Sequence, residues 1–328
     1  ESYSYSQFDM GTVGTVYINN LTGNLIITRD ETNTTGEDNP YYLTSTYNSF
    51  APIKSQAPCW FRGYEYGFRS ETEFINENGT GERITLGETS DNGFYTVSEN
   101  SSSFTKIRAN KDSLTGETVS IDALNEDETA RYNFDPQKGL TGVFDTKTGN
   151  ALVTVTRASD SNIQIVDSDS DKLEIIDTDS LYSVKQFYTQ KNLYGDTVEY
   201  TKDTNGNVTQ ITLNSNVQAL FTYDELNRMT SVTNDVGYKL IFGYTGESKV
   251  VSTVSESKNG TNGQHIAFER HYNRASVRSS GADGVFGNSD DVISECRFNK
   301  NAQLTQVQNK TDSDEDPGAV AYSYNESK

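Results

Sequence analysis

Apolar and polar residues alternate along most of this chain with a period of two, in short runs separated by turn-forming residues. Val16 and Ile18 alternate with polar neighbours, "NNLTG" supplies turn chemistry, and Leu25, Ile26 and Ile27 resume a strand. "YYLTSTYNSF" (41–50) is an aromatic, threonine-rich strand of the same kind. Further runs, among them "GERITLGE", "SFTKIRAN", "TVSIDAL", "ARYNFD" and "ALVTVTRA", are punctuated by "NENGTG", "SDNG" and "KTGN". "CWFRGYEYGFRSETEFI" (59–75) crowds Trp60, Phe61, Tyr64, Tyr66, Phe68 and Phe74 together. At strand spacing, core packing is a better account of these rings than a sugar-stacking surface, because large aromatics dominate cores. The pattern predicts an all-β protein.

Within it lies a repeat of 21 residues. "YTKDTNGNVTQI" (200–211) aligns with "FTYDELNRMTSV" (221–232), so that Asp203 matches Asp224, Gly206 matches Asn227, Val208 matches Met229 and Ile211 matches Val232. Tyr200, Phe221 and Phe242 fall on the same spacing. "FGYTGESKVV" (242–251) is a degenerate third copy with Tyr244 in the place of Tyr223. Two outlying copies are "CRFNKNAQLTQV" (296–307), with Phe298, and "YNFDPQKGLTGV" (132–143).

Each unit has a direct physical reading. Two aromatics at i and i+2 share one face of a strand. Asp, two variable residues and Gly or Asn make a turn, since Asp bonds its own backbone and Gly or Asn tolerates the left-handed region. The next apolar pair, three residues apart, belongs to the returning strand. A hairpin of this kind cannot bury its aromatic face alone, so neighbours must stack into an extended, curved sheet. Three heptads also span 21 residues, but the Gly, Asn, Thr and β-branched residues in the intervals exclude a helix.

"YDELNRMTSV" resembles the YD repeat, Tyr-Asp-x-x-Gly-Arg-Leu-x-x-Val, differing at Asn227 and Met229. The chain therefore resembles the Rhs/YD-repeat family of large secreted and wall-associated bacterial proteins. "TVYINNLTGNLIIT…YYLTSTYNS" is similar to the segment preceding the repeats in wall-associated members. The resemblance implies stacked antiparallel β-hairpins spiralling into a partial shell, with other repeats or an encapsulated C-terminal effector of a longer chain as partners. It also implies a location outside the cell or on the bacterial surface.

Composition sharpens this. Twenty Tyr and 15 Phe compensate for an apolar content of only 33%. The balance of 27 basic against 47 acidic residues, a net charge of −20, repels phosphate backbones and excludes nucleic acid as a partner. No stretch approaches the roughly 20 apolar residues of a membrane-spanning helix. Two histidines argue against His-dependent triads and zinc sites. Cys59 and Cys296, far apart in sequence, are either a pair or two independent thiols.

"GADGVFGNSDDVI" (281–293) is the best ion candidate. Asp283, Asn288, Asp290 and Asp291 are hard oxygen ligands around two glycines, a set that suits calcium; a solvated acidic turn is the equal alternative. Asp167, Asp169 and Asp171 imitate the start of an EF-hand, but Lys172 and Thr178 stand where Gly and a bidentate Glu are required.

The expected organisation is a β-rich region over 1–159, an acidic connecting segment over 160–180, YD-repeat hairpins over 181–310 and an acidic tail over 311–328. The expected function is a non-enzymatic extracellular structural or interaction scaffold. The alternatives are a carbohydrate-binding adhesin of the cell surface, using exposed Tyr or Trp60, and a carboxylate-dependent glycan hydrolase with two carboxyl groups about 5 to 10 Å apart in a cleft.

Overall fold

The structure, a computed structural model, describes residues 4–36, 38–51, 59–90, 92–97, 104–311 and 318–324. The chain divides into two units, one made of Glu1–Ile27 with Val217–Lys328, the other of Thr28–Asn216. Both are built of antiparallel strands paired in sequence order, as the all-β, stacked-hairpin reading requires. The only helical element among the described residues is the three-residue 3-10 turn Gly11–Val13.

In the Thr28–Asn216 unit the ladder runs strand by strand from Leu86–Thr89 to Val208–Leu213. Residues 160–180 do not merely connect. They form the hairpin Asn162–Asp167 and Lys172–Asp177 within that ladder. The acidic cluster is its turn: Asp167 Oδ1 accepts the amides of Asp169 and Asp171, each at 3.0 Å. The spacing that imitates an EF-hand is thus that of an Asp-initiated turn. In the other unit the ladder runs from Asn216–Tyr223 to Ala319–Ala321. Residues 312–317 and 325–328 of the expected acidic tail lie outside the described residues, while Ala319–Ala321 pair with Gln306–Gln308.

One face of each ladder is apolar, and the protein's own N-terminal third covers it. In the first unit the hairpin of Tyr5–Asp9 and Thr15–Asn19 buries Val13, Val16 and Ile18. Leu21 packs on the cluster of Ala275, Cys296, Phe298 and Leu304. Polar contacts fix the register of this cover. Thr12 Oγ1 donates to the Gln218 carbonyl at 2.8 Å, and Val251 donates its amide to the Gly23 carbonyl at 3.0 Å. Arg270, stacked 4.7 Å from the Phe268 ring, donates to the carbonyls of Asn20 at 2.8 Å and Val251 at 2.6 Å. Burial pulls its pKa down to about 10.

In the second unit the aromatic segment 59–75 does the covering. Trp60 is 2% exposed and packs edge-on against Tyr47 and Tyr200, with ring centroids 5.8 and 5.4 Å away. Phe68 sits among Phe74, Phe104 and Phe134. The core-packing reading of this aromatic run holds, and Trp60 has no face free for a sugar. Large aromatics from the preceding chain fill the apolar face of this ladder.

Candidate functional site

Three of the five repeat copies converge on one turn geometry. Asp224 donates its amide to the Arg228 carbonyl at 3.0 Å, and Asn227 returns its amide to the Asp224 carbonyl at 3.0 Å. Oδ1 of Asp224 accepts the amides of Leu226 at 3.0 Å and Arg228 at 2.9 Å. Asp203 does the same for Asn205 and Asn207, and Asn299 for Asn301 and Gln303. The fourth turn residue has positive φ in each: 82° at Gly206, 57° at Asn227 and 61° at Ala302. Turns of the same kind, not singled out by the repeat alignment, begin at Asn76, Asp167 and Asn234. Burial opposes ionisation of Asp224, but the hydrogen bonds from Arg228 and Leu226 prevail and hold its carboxyl below the usual range.

After the turn, every copy carries a β-bulge at the same place. Thr222 pairs with Ser231 but Tyr223 pairs with Met229, leaving Thr230 unpaired. The same shift leaves out Thr209, Thr305, Thr141 and Ser252. An apolar pair three residues apart would otherwise straddle the sheet. The extra residue brings both members to one face. Met229 with Val232, Val208 with Ile211, and Val251 with Val254 are all 0% exposed. The bulge residue's hydroxyl also satisfies a loosened carbonyl across the hairpin: Thr141 Oγ1 donates to Asn133 O at 2.9 Å, and Thr305 Oγ1 to Arg297 O at 3.1 Å.

The hairpins are joined by a seam. Tyr244 donates its hydroxyl to the Met229 carbonyl at 2.6 Å, beside the bulge of the preceding hairpin. Tyr324 does the same to the Leu304 carbonyl at 2.6 Å, which places Tyr322 and Tyr324 in the register of Phe242 and Tyr244. Arg228 pairs with Asp224 (Nε to Oδ2, 2.7 Å), lies 4.7 Å from the Tyr244 ring, and donates to the Gly246 and Ser248 carbonyls in the next turn. Phe221 and Phe242, each 4% exposed, supply the apolar packing in this unit, and Tyr200, the matching residue of the first copy, is fully buried against Trp60 and Tyr182 in its own. In the third copy the turn is longer, with Thr245 donating its amide to Val250 O, yet its bulge register is unchanged.

The outlying copy at 132–143 carries a site that the sequence did not reveal. Asp122 is 2% exposed and sits beside Asn133 in the ladder. Its Oδ1 accepts from Arg131 Nη1 at 2.7 Å and Asn133 Nδ2 at 2.9 Å, and its Oδ2 from Arg108 Nη2 at 2.8 Å and Asn110 Nδ2 at 3.1 Å. Burial alone would raise its pKa, but these four donors outweigh it and hold the carboxyl low. The only sequence signal was a lone Asp in an apolar strand run.

The loop at 281–291 brings Asn288 to Asp283 but engages Asp290 and Asp291 with separate partners. Asn288 Nδ2 donates to Asp283 Oδ2 at 2.6 Å, and the Ala282 amide donates to Asp290 Oδ2 at 3.1 Å. Asp291 is 0% exposed; its Oδ2 accepts the Gly287 amide at 2.7 Å and pairs with Arg278 Nη2 at 2.7 Å. The Gly287 amide, then the Arg278 guanidinium, keep this carboxyl below its ordinary range against burial. The Arg278 guanidinium therefore meets the charge of Asp291. Among the described residues no group of three or more His, Cys, Asp or Glu is placed to hold a metal ion. Cys59 and Cys296 are not joined in a disulfide; Cys296 is buried 3.5 Å from Ser4 Oγ, and burial pushes its thiol pKa up.

Residues 203–239, which span the Asp203 and Asp224 turns, match the RHS Repeat family model. The chain carries an Rhs repeat. The resemblance to the Rhs/YD-repeat family holds on the hairpins that suggested it. No curated protein matches the sequence. Among solved structures, that of TcdB2-TccC3 aligns with 94% of this chain and 18% of its own at 13% identity and a TM-score of 0.37. That of TcdB2-TccC3-Cdc42 aligns with 98% and 20% at 13% identity and 0.40. The chain spans about a fifth of the length of those chains.

Proposed function

We propose that the protein is a non-enzymatic structural scaffold, a section of wall in a larger extracellular Rhs shell that encloses a C-terminal effector. The observation that carries the scaffold reading is the seam. The side chains that define the repeat, Tyr244, Asp224 and Arg228, are engaged in turns and in neighbouring hairpins rather than offered to a substrate. In this reading the chain is a filled section of wall, since its own N-terminal segments occupy the apolar face of each ladder. The encapsulating role is tested by extending the chain with the sequence that follows it in its gene and digesting the native product with protease. Protection of the C-terminal portion supports the reading, and its rapid release as free fragments contradicts it.

The 281–291 loop is expected to need no calcium, because Arg278 already neutralises Asp291. A ligand specific to the folded state raises the melting temperature. The same melting temperature in calcium and in chelator is therefore predicted, and a clear rise in calcium would restore a metal site to this loop.

A further inference from the structure

A cavity of about 660 Å³ opens in the Thr28–Asn216 unit beside the aromatic cluster, and nothing in the scaffold reading uses it. Its walls include Tyr66, Phe74, Phe104 and Tyr132. Their rings pack edge to face, with centroids 6.3 Å apart for Tyr66 and Phe74, 5.9 Å for Phe74 and Phe104, and 5.1 Å for Phe104 and Tyr132. Two carboxylates, Glu77 and Glu82, also line it. Glu82 is cross-strand partner to Phe74, so both side chains project to one face. Glu77 is carried on the turn Asn76–Thr80, which is fixed because Asn76 Oδ1 accepts the amides of Asn78 and Thr80.

Neither glutamate has a hydrogen-bond or ion-pair partner among the described residues, although basic side chains neutralise acids elsewhere in the same unit, at Asp122 and Asp177. Glu77 remains reachable by solvent and Glu82 is half-buried. Burial by the surrounding residues raises the pKa of both. Both move in the same direction for the same reason. A glycosidase acid and nucleophile need environments that push their pKa values apart. A neutral sugar could stack on the rings but would leave both charges uncompensated.

We propose that this cavity binds an organic ammonium ion with an apolar body, such as a lysine side chain or a free alkylamine. The charge would be met by Glu77 and Glu82, and the aliphatic part by the rings of Phe74, Phe104 and Tyr132. Attraction of a cation to an aromatic face adds to the ion pairing, and both strengthen as water is displaced.

The test is isothermal titration of the whole chain with n-butylammonium, with its neutral isostere n-butanol, and with acetyl-lysine amide. Both ammonium probes are expected to bind and butanol is not; acetyl-lysine amide binding more tightly would assign the site to peptide lysines, and butylammonium binding more tightly to free amines. The double variant Glu77→Gln/Glu82→Gln, which keeps shape and hydrogen-bonding capacity, should weaken butylammonium binding by about tenfold or more. An unchanged circular dichroism spectrum and melting curve would show that the variant is folded. Equal binding of butanol and butylammonium, no binding by either ammonium probe, or an unaltered affinity in the folded double variant would each overturn the proposal. None of these results depends on whether the chain serves as a shell wall.

Discussion

At the scale of single residues, the side chains that looked chemically interesting are those that shape the backbone. Asp224 is a turn-maker with three donors on its carboxylate, so Asp224→Ala should lower stability by about 1–2 kcal/mol in a denaturant melt. Ala302 holds φ 61°, a conformation that costs an L-residue with a Cβ roughly 1 kcal/mol. Ala302→Gly should therefore stabilise the protein by about that amount, and a lower denaturation midpoint would refute the strain argument. Asp122 gives a pH signature. Its folded pKa lies below that of the unfolded chain, so its stabilisation is complete above about pH 4 and is lost as pH falls through the folded value. Asp122→Asn should flatten the acid limb of the stability profile, and at neutral pH should cost about 3 kcal/mol. The importance of Asp122 was not legible in the sequence because its four donors come from the two strands that flank its own.

At the scale of the hairpin, the repeat was legible because aromatic, Asp and Gly or Asn recur at fixed offsets, and each of those residues acts within its own hairpin. The bulge was not. An apolar pair at i and i+3, such as Met229 and Val232, breaks the strand period, and only the ladder shows that Thr230 is the unpaired residue that restores it. Deleting Thr230 should turn Met229 and Val232 to opposite faces and abolish cooperative melting of this region. Thr230→Ala keeps the bulge and removes only a hydroxyl contact, so it should lower the melting temperature by about 2–4 °C. If the deletion variant melts like the alanine variant, the bulge does not set the register. The seam has its own test. Tyr244→Phe leaves the ring over Arg228 but frees the Met229 carbonyl, and should cost about 1 kcal/mol in a denaturant melt.

At the scale of the whole molecule, strand content and the stacked-hairpin class followed from the period of two and the turn residues. The filling of each ladder did not, because Asn20 and Arg270, or Trp60 and Tyr200, meet only after the chain has folded back across a long stretch of sequence. This filling distinguishes the protein from an empty wall: its N-terminal segments act as core for repeats made long after them. The 281–291 loop shows the limit of composition in the same way, since Arg278, whose guanidinium pairs with Asp291, lies just outside the acidic motif. The central claim, a scaffold of interlocked hairpins whose apolar face is covered by the chain's own N-terminus, is tested most directly by removing residues 1–24 and measuring binding of a hydrophobic dye alongside thermal melting. Strong dye binding and loss of the cooperative transition of the 217–324 ladder are predicted. A truncated protein that binds no dye and melts at the temperature of the intact chain would contradict the account.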